Sequence, residues 1–133
     1  MRISIKTRYG LRAMVYLARA GRICSVKEIS QKENIPFSFL EKIISELEKE
    51  NLVKAQRGSR GGYFLTHSPQ KISIGKILKT LEGMIFSISC KKDCSSPKRK
   101  DECPIRNAWK KIQYALNSAL NSITLADLID KPH

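Results

Sequence analysis

The sequence predicts a mainly α-helical fold carrying one small β-hairpin. Three observations predict it: Ser-x-x-Glu capping patterns at Ser25–Glu28 and Ser38–Glu41, a glycine-rich stretch at 58–62 between two short β-prone runs, and apolar residues at heptad spacing between 105 and 123. With 133 residues, 41% of them hydrophobic, the chain is long enough for one packed domain. It carries 25 Lys plus Arg against 12 Asp plus Glu, a formal charge of +13, which points to an anionic partner. It has two His and none of the H-E-x-x-H, G-x-S-x-G or P-loop patterns, so a binding protein is expected and not an enzyme. No apolar run reaches the roughly 18–20 residues of a membrane span, and the N-terminus lacks the apolar core of a signal peptide. The expected location is the cytoplasm, with no membrane partner.

The first helix is read from Leu11, Met14, Val15 and Ala18, which line one face at helical spacing. Arg2, Lys6, Arg8, Arg12, Arg19 and Arg22 fall within its neighbourhood with no acidic residue among the first 24. The Ser25 hydroxyl is expected to satisfy an open amide of the next helix while Glu28 reaches back to the Ser25 amide. That helix breaks at Asn34-Ile35-Pro36. Ser38 then repeats the pattern and is expected to cap a longer helix to about Glu50. In it Leu40, Ile43, Ile44 and Leu47 form the buried stripe, leaving Ser38, Phe39, Glu41, Lys42, Ser45 and Lys49 on the other faces. Two short helices about a tight turn give the outline of a helix-turn-helix.

Asn51 suits a helix C-cap, and Leu52–Arg57 and Tyr63–Leu65 read as strands around Gly58-Ser59-Arg60-Gly61-Gly62. Arg57 and Arg60 fit a wing laid along a phosphate backbone or into a minor groove; a plain solvated hairpin fits the same residues. Ser73 caps a helix striped by Ile74, Ile77, Leu78 and Leu81 that stops at Gly83. Pro104 opens a last long helix, where Ile105, Trp109, Ile112, Leu116, Ala119 and Ile123 form a seam with little core left to cover it. A second copy of the chain is the expected partner for that seam. Thr124–Asp127 reads as one more capped turn. The expected division is a winged helix-turn-helix over 1–83, a cysteine-bearing loop over 84–103, and a dimerisation helix with its tail over 104–133.

In their order these parts resemble the Rrf-two family of bacterial winged-helix transcription regulators, the group of IscR, NsrR and CymR. The resemblance rests on MRISIKTRYGLRAM, SFLEKIISELEKENLV, the wing QRGSRGGYFL, SIGKILKTLEG, CPIRNAW and ITLADLID, and spans nearly the whole chain. It implies a homodimer joined along the long C-terminal helices and a pseudo-palindromic operator in double-stranded DNA. In many members it also implies an iron-sulfur cluster on three loop cysteines, whose state alters DNA binding. The residues themselves agree on the DNA part. Helix 38–49 suits the major groove, with Ser38, Phe39, Glu41 and Lys42 nearest the bases and Ser45 beside them. Arg57 and Arg60 serve the wing, and Arg2, Lys6 and Arg8 hold phosphates.

The four cysteines divide into Cys24, expected to be a small buried hydrophobe, and Cys90, Cys94 and Cys103. Soft thiolates bind iron well, and these three supply all but one of the ligands an iron-sulfur cluster usually takes. The family's fourth ligands do not transfer. The His found three residues after the last Cys in IscR-type members is Arg106 here, and the N-terminal Asp of NsrR-like members is Arg8. His67, Asp93, Asp101, Glu102, Cys24 or an external group stay open for that place. Zinc and oxidisable thiols beside Lys91, Lys92 and Lys100 are the competing chemistries. A protein-interaction module is the competing function.

Overall fold

The computed structural model describes residues 3–83 and 104–129. Their elements run α1 (Ile5–Ala20), α2 (Val26–Glu33), α3 (Phe37–Lys49), β1 (Val53–Gln56), β2 (Gly62–Leu65), a 3-10 turn (Pro69–Lys71), α4 (Ile74–Glu82), α5 (Pro104–Ser122) and α6 (Leu125–Ile129). This is the mainly helical, single-hairpin architecture that the sequence predicts.

Helix α1 opens at Ser4, whose hydroxyl accepts from the Thr7 amide, and closes at Gly21, left-handed with φ 61°. It buries Thr7, Gly10, Ala13, Met14, Leu17 and Ala18. Gly10 is where three helices meet, because a Cβ there would stand 2.2 Å from Leu81 Cδ1 of α4 and 3.3 Å from Ile43 Cγ2 of α3. Only a residue without a side chain lets the helices approach that closely.

Helix α2 begins as expected, with the Ser25 hydroxyl accepting from the Glu28 amide at 3.0 Å. The expected reach of Glu28 back to Ser25 is corrected: its carboxylate turns outward to Arg22 and Tyr16. A guanidinium with two donors competes successfully for a carboxylate that a single backbone amide would otherwise hold. The turn into α3 is fixed by Asn34, left-handed at φ 55°, and by Ser30, whose carbonyl accepts from Ile35 N at 3.0 Å. Ser30 also donates its hydroxyl to Ile35 O at 2.5 Å, and Ile35 is buried beneath the turn.

The expected cap at Ser38 is also corrected. Helix α3 starts at Phe37 with Pro36 in the capping position and no side-chain cap. The first helical bond runs from Leu40 N to Pro36 O at 2.9 Å, so Ser38 already lies inside the first turn. Proline's fixed φ places the chain at the helix entrance two residues earlier than the Ser pattern suggests.

The hairpin pairs Val53 with Leu65, Lys54 with Phe64, Ala55 with Tyr63 and Gln56 with Gly62. Cys24 adds a short third rung: its amide donates to Tyr63 O at 2.9 Å and its carbonyl accepts from Tyr63 N at 2.8 Å. A Cβ at Gly62 would lie 2.4 Å from Cys24 O, so the rung depends on that glycine. After α5 the chain returns to the first unit. Ile74 N donates to Ile123 O at 2.8 Å and Leu125 N donates to Ile72 O at 3.0 Å. Leu125 is fully buried and α6 packs against α1.

The core gathers α1, α2, α3, α4, β1 and α6 around Met14, Leu17, Ile29, Leu40, Ile43, Ile44, Leu47, Ile77 and Leu125. Helix α5 meets it only near its C-terminal end, through Leu120. Its last turns rest on Gly75, where a Cβ would meet Asn121 Oδ1 at 2.6 Å and Leu120 Cβ at 3.2 Å. At 19 residues against nine for α4 it runs roughly 15 Å longer. Among the described residues its apolar seam is left partly exposed, Ile105 at 60% and Ile112 at 41%.

Candidate nucleic-acid interface

Helix α3 buries Leu40, Ile43, Ile44 and Leu47, the stripe expected from the sequence. The opposite face is exposed and carries Ser38, Glu41, Lys42, Ser45 and Lys49. Five polar side chains on one helical face, two of them cationic, can donate to base edges and to phosphates, and Glu41 can accept from an exocyclic amine. Phe39 departs from this group. It is half-buried and meets Tyr9 of α1 edge to face, so its ring serves the α1–α3 contact. Phe37, which the sequence reading did not single out, is the aromatic ring left exposed at the start of α3, at 48%.

The wing lies beside this face. Arg57 and Arg60 are exposed on the turn between the strands. Gly58 takes φ 122°, and Gly61, whose amide bonds Gly58 O at 3.0 Å, has no room for a Cβ beside Gln56 O. The backbone therefore turns sharply and leaves both guanidinium groups at the tip. At the base of the wing, burial first and then the negative charges of Glu48 and Glu41 push the Tyr63 phenol up from its ordinary range.

Of the three N-terminal cations, Arg2 lies outside the described residues. Arg8 is exposed on the first turns of α1. Lys6 is engaged, its Nζ standing 3.1 Å from Glu46 Oε2 of α3. At the same end of α1, Glu82 of α4 accepts from Ser4 N at 2.5 Å and from Thr7 Oγ1 at 2.8 Å. These hydrogen bonds, those with Ser4 before the one with Thr7, lower the Glu82 carboxyl below the usual range. Sequence reasoning missed both Glu46 and Glu82, whose partners lie 40 and 75 or more residues away.

Cys90, Cys94 and Cys103, with Asp93, Asp101 and Glu102, lie outside the described residues. Among the described residues no three His, Cys, Asp or Glu side chains gather as a metal site. Two candidates for a fourth ligand can be placed. Cys24 is buried at 1% exposure, with Arg22 Nη1 donating to its sulfur at 3.4 Å, and burial pushes its thiol up. It is a core residue, as first expected, and not an available ligand. His67 is exposed beside Leu52, Lys71, Ile72 and Lys76 in a shallow depression. Next to Cys24, Arg22 grips Glu28 with two bonds of 3.1 and 2.8 Å while Tyr16 donates to Glu28 Oε2 at 2.5 Å. The guanidinium first, and then the phenol, bring the Glu28 carboxyl down to about 2. No helix of the described residues is long and apolar enough to cross a membrane.

Comparison with known proteins agrees with this geometry. The Rrf2 family model, described as an iron-dependent transcriptional regulator, matches residues 3–131. The HTH-type transcriptional regulator CymR of Bacillus subtilis is 38% identical over 130 residues, covering 96% of this chain and 89% of that protein. The solved structure of B. subtilis CymR, described as the global cysteine regulator, superposes with a TM-score of 0.81 at 36% identity over 100% of this chain and 99% of that one. The structure of IscR from T. potens gives a TM-score of 0.75 at 32% identity over 98% and 87% of the two chains. The oxidized form of Staphylococcus aureus CymR gives 0.75 at 31% identity over 100% and 99%. With the family model matching residues 3–131 and relatives of more than 30% identity over nearly the whole chain, the chain belongs to the Rrf2 family and is a DNA-binding transcriptional regulator, not an enzyme.

Proposed function

We propose that this regulator binds a pseudo-palindromic operator as a homodimer, and that an iron-sulfur cluster held by Cys90, Cys94 and Cys103 sets its affinity. Dimer formation draws on the seam of α5, where Ile105, Ile112 and Ile123 are exposed at heptad-like spacing and suit a second helix. Reading of bases falls to Ser38, Glu41, Lys42 and Ser45, with Phe39 bracing the helix; phosphates are held by Arg2, Lys6 and Arg8, and by Arg57 and Arg60 in the wing. Two reading helices related by a two-fold axis must span half-sites about one helical turn apart, so a small tilt decides whether both engage.

The observation that carries the cluster reading is the donor set. Three thiolates fall within one 14-residue stretch between α4 and α5, in a family described as iron-dependent. A bound cluster would supply a centre sensitive to iron supply, oxygen, nitric oxide or redox state. With Cys24 withdrawn into the core, the fourth ligand falls to His67, Asp93, Asp101, Glu102 or an external group. Anaerobic purification tests the reading: brown protein with iron and labile sulfide, and operator affinity that changes when the cluster is removed, is the expected result. Colourless, iron-free protein after anaerobic reconstitution overturns it. The similarity to CymR, solved also in an oxidized form, favours one second reading, in which the same three cysteines act as redox thiols. Iron-free protein whose DNA affinity responds reversibly to peroxide and a dithiol would identify that case. A zinc site would appear in the same metal analysis.

A further inference from the structure

We propose that Glu82 is a positioning residue for DNA binding, the side chain through which α4 holds the phosphate-facing end of α1 against the reading helix. The proposal rests on the placement of the interface given above. Helix α1 has no acidic residue in its first turn, so its own sequence leaves the amide end without a negative partner. Glu82 supplies one from another helix, accepting with a single oxygen, Oε1, from both Ser4 N and Thr7 Oγ1. Thr7 is completely buried, and Ser4 Oγ accepts in turn from Thr7 N at 3.2 Å, so the three groups close on one another. Lys6, between them in sequence, crosses to Glu46 on α3, and Arg8 follows on the exposed side.

The chain Glu82, Ser4 and Thr7, Lys6, Glu46 therefore links α4, α1 and α3. A helix end released from its cap frays within its first turn, and fraying here carries Lys6 and Arg8 with it. Glu82 is also the last residue of α4, followed by Gly83 at φ 79° and then by the cysteine-bearing stretch. Whatever displaces that end of α4 displaces the carboxylate that orders α1.

The test uses Glu82→Ala, Glu82→Gln, Thr7→Val and Arg8→Ala in the full chain, with a duplex selected from random sequence by the wild-type protein. Affinity is titrated over a range of salt, and circular dichroism melting establishes the folded fraction. Glu82→Ala is expected to weaken binding about tenfold and to reduce the salt slope by about one. Glu82→Gln keeps the Oε1 acceptor and is expected to restore most of the affinity, with Thr7→Val between the two. If Glu82→Ala does not fold, the Gln and Val variants decide. Arg8→Ala weakened beside a Glu82→Ala of wild-type affinity and slope overturns the role of Glu82 alone. Arg8→Ala at wild-type affinity overturns the placement of α1 at the phosphates, and this proposal with it. Glu82→Gln as weak as Glu82→Ala overturns the acceptor role.

Discussion

Tyr9 of α1 and Phe39 of α3 meet edge to face, with ring centroids 5.7 Å apart and planes at 82°. Arg12 adds its guanidinium 5.8 Å from the centre of the Tyr9 ring. The contact ties α3 to α1. Replacing Phe39 by Leu keeps apolar volume but removes the ring pair, and is expected to lower stability by about 1 kcal/mol. Thermal melting checks this, and a selection experiment on the same variant should return the wild-type operator sequence.

The exposed face of α3 and the wing should separate by type of contact. Lys42→Ala or Glu41→Ala is expected to relax preference at one or two base positions, at a cost of about 1–3 kcal/mol. Arg57→Ala and Arg60→Ala should weaken all sequences alike and each reduce the salt slope by about one. Titrations on the operator and on single-base variants, at three salt concentrations, distinguish the two patterns. A wing variant that changes base preference without changing the slope would place its Arg on a base edge instead.

The Arg22–Glu28 pair makes a prediction for acid stability. The folded Glu28 carboxyl sits at about 2, below the roughly 4.3 of an unfolded glutamate. Its contribution is therefore complete above about pH 4.3 and is lost as pH falls toward 2. Glu28→Gln should be less stable than the wild type at neutral pH and should show a shallower loss between pH 4.3 and 2. Urea denaturation at a series of pH values measures both.

Much of this fold was legible because its signals are local. Ser25 and Ser73 cap helices three residues away, and the stripe Leu40, Ile43, Ile44, Leu47 is set by one helical period. The start of α3 was misread because Pro36 and Ser38 offered rival signals two residues apart. The contacts that shape the interface were hidden for a different reason. Glu82 with Thr7, Lys6 with Glu46, Tyr9 with Phe39 and Cys24 with Tyr63 join residues that only the packed fold brings together. No spacing rule encodes them. The contact of Phe39 with Tyr9 was not legible either, because helical phase alone cannot tell a solvent face from a face turned to another helix.

The rung between Cys24 and Tyr63 makes Gly62 sensitive. Gly62→Ala would push a methyl group into the Cys24–Ser25 peptide, backbone that has little room to yield. The expected loss is about 1–3 kcal/mol in stability. Because the rung seats the wing, operator affinity should fall with it, whereas Cys24→Ser should leave the rung's backbone bonds in place. Melting curves and binding titrations on the two variants test the difference.

In the proposed dimer Ile112 lies in the middle of the α5 seam, and Ile112→Glu is expected to shift it to monomer. Light scattering after size-exclusion chromatography measures the mass. Ile112 is exposed and α5 meets the core through Leu120, near its other end, so the fold of 3–83 should survive, with melting temperature falling only by what a dimer contributes.

The paired hydrogen bonds that join Ile72 and Ile74 to Leu125 and Ile123 close the base of a long excursion made of α4, the cysteine-bearing stretch and α5. Once the base is closed, the number of residues between Gly83 and Pro104 has no bearing on the register of the parts below it. Loop-closure cost grows slowly with length, each doubling adding only about 0.6 kcal/mol. The architecture thus behaves as a socket: a stretch with different cysteine spacing, or none, can be exchanged between α4 and α5 while the backbone bonds at its base keep their register. In the proposed function, it is this exchangeable stretch that would carry the chemical sense.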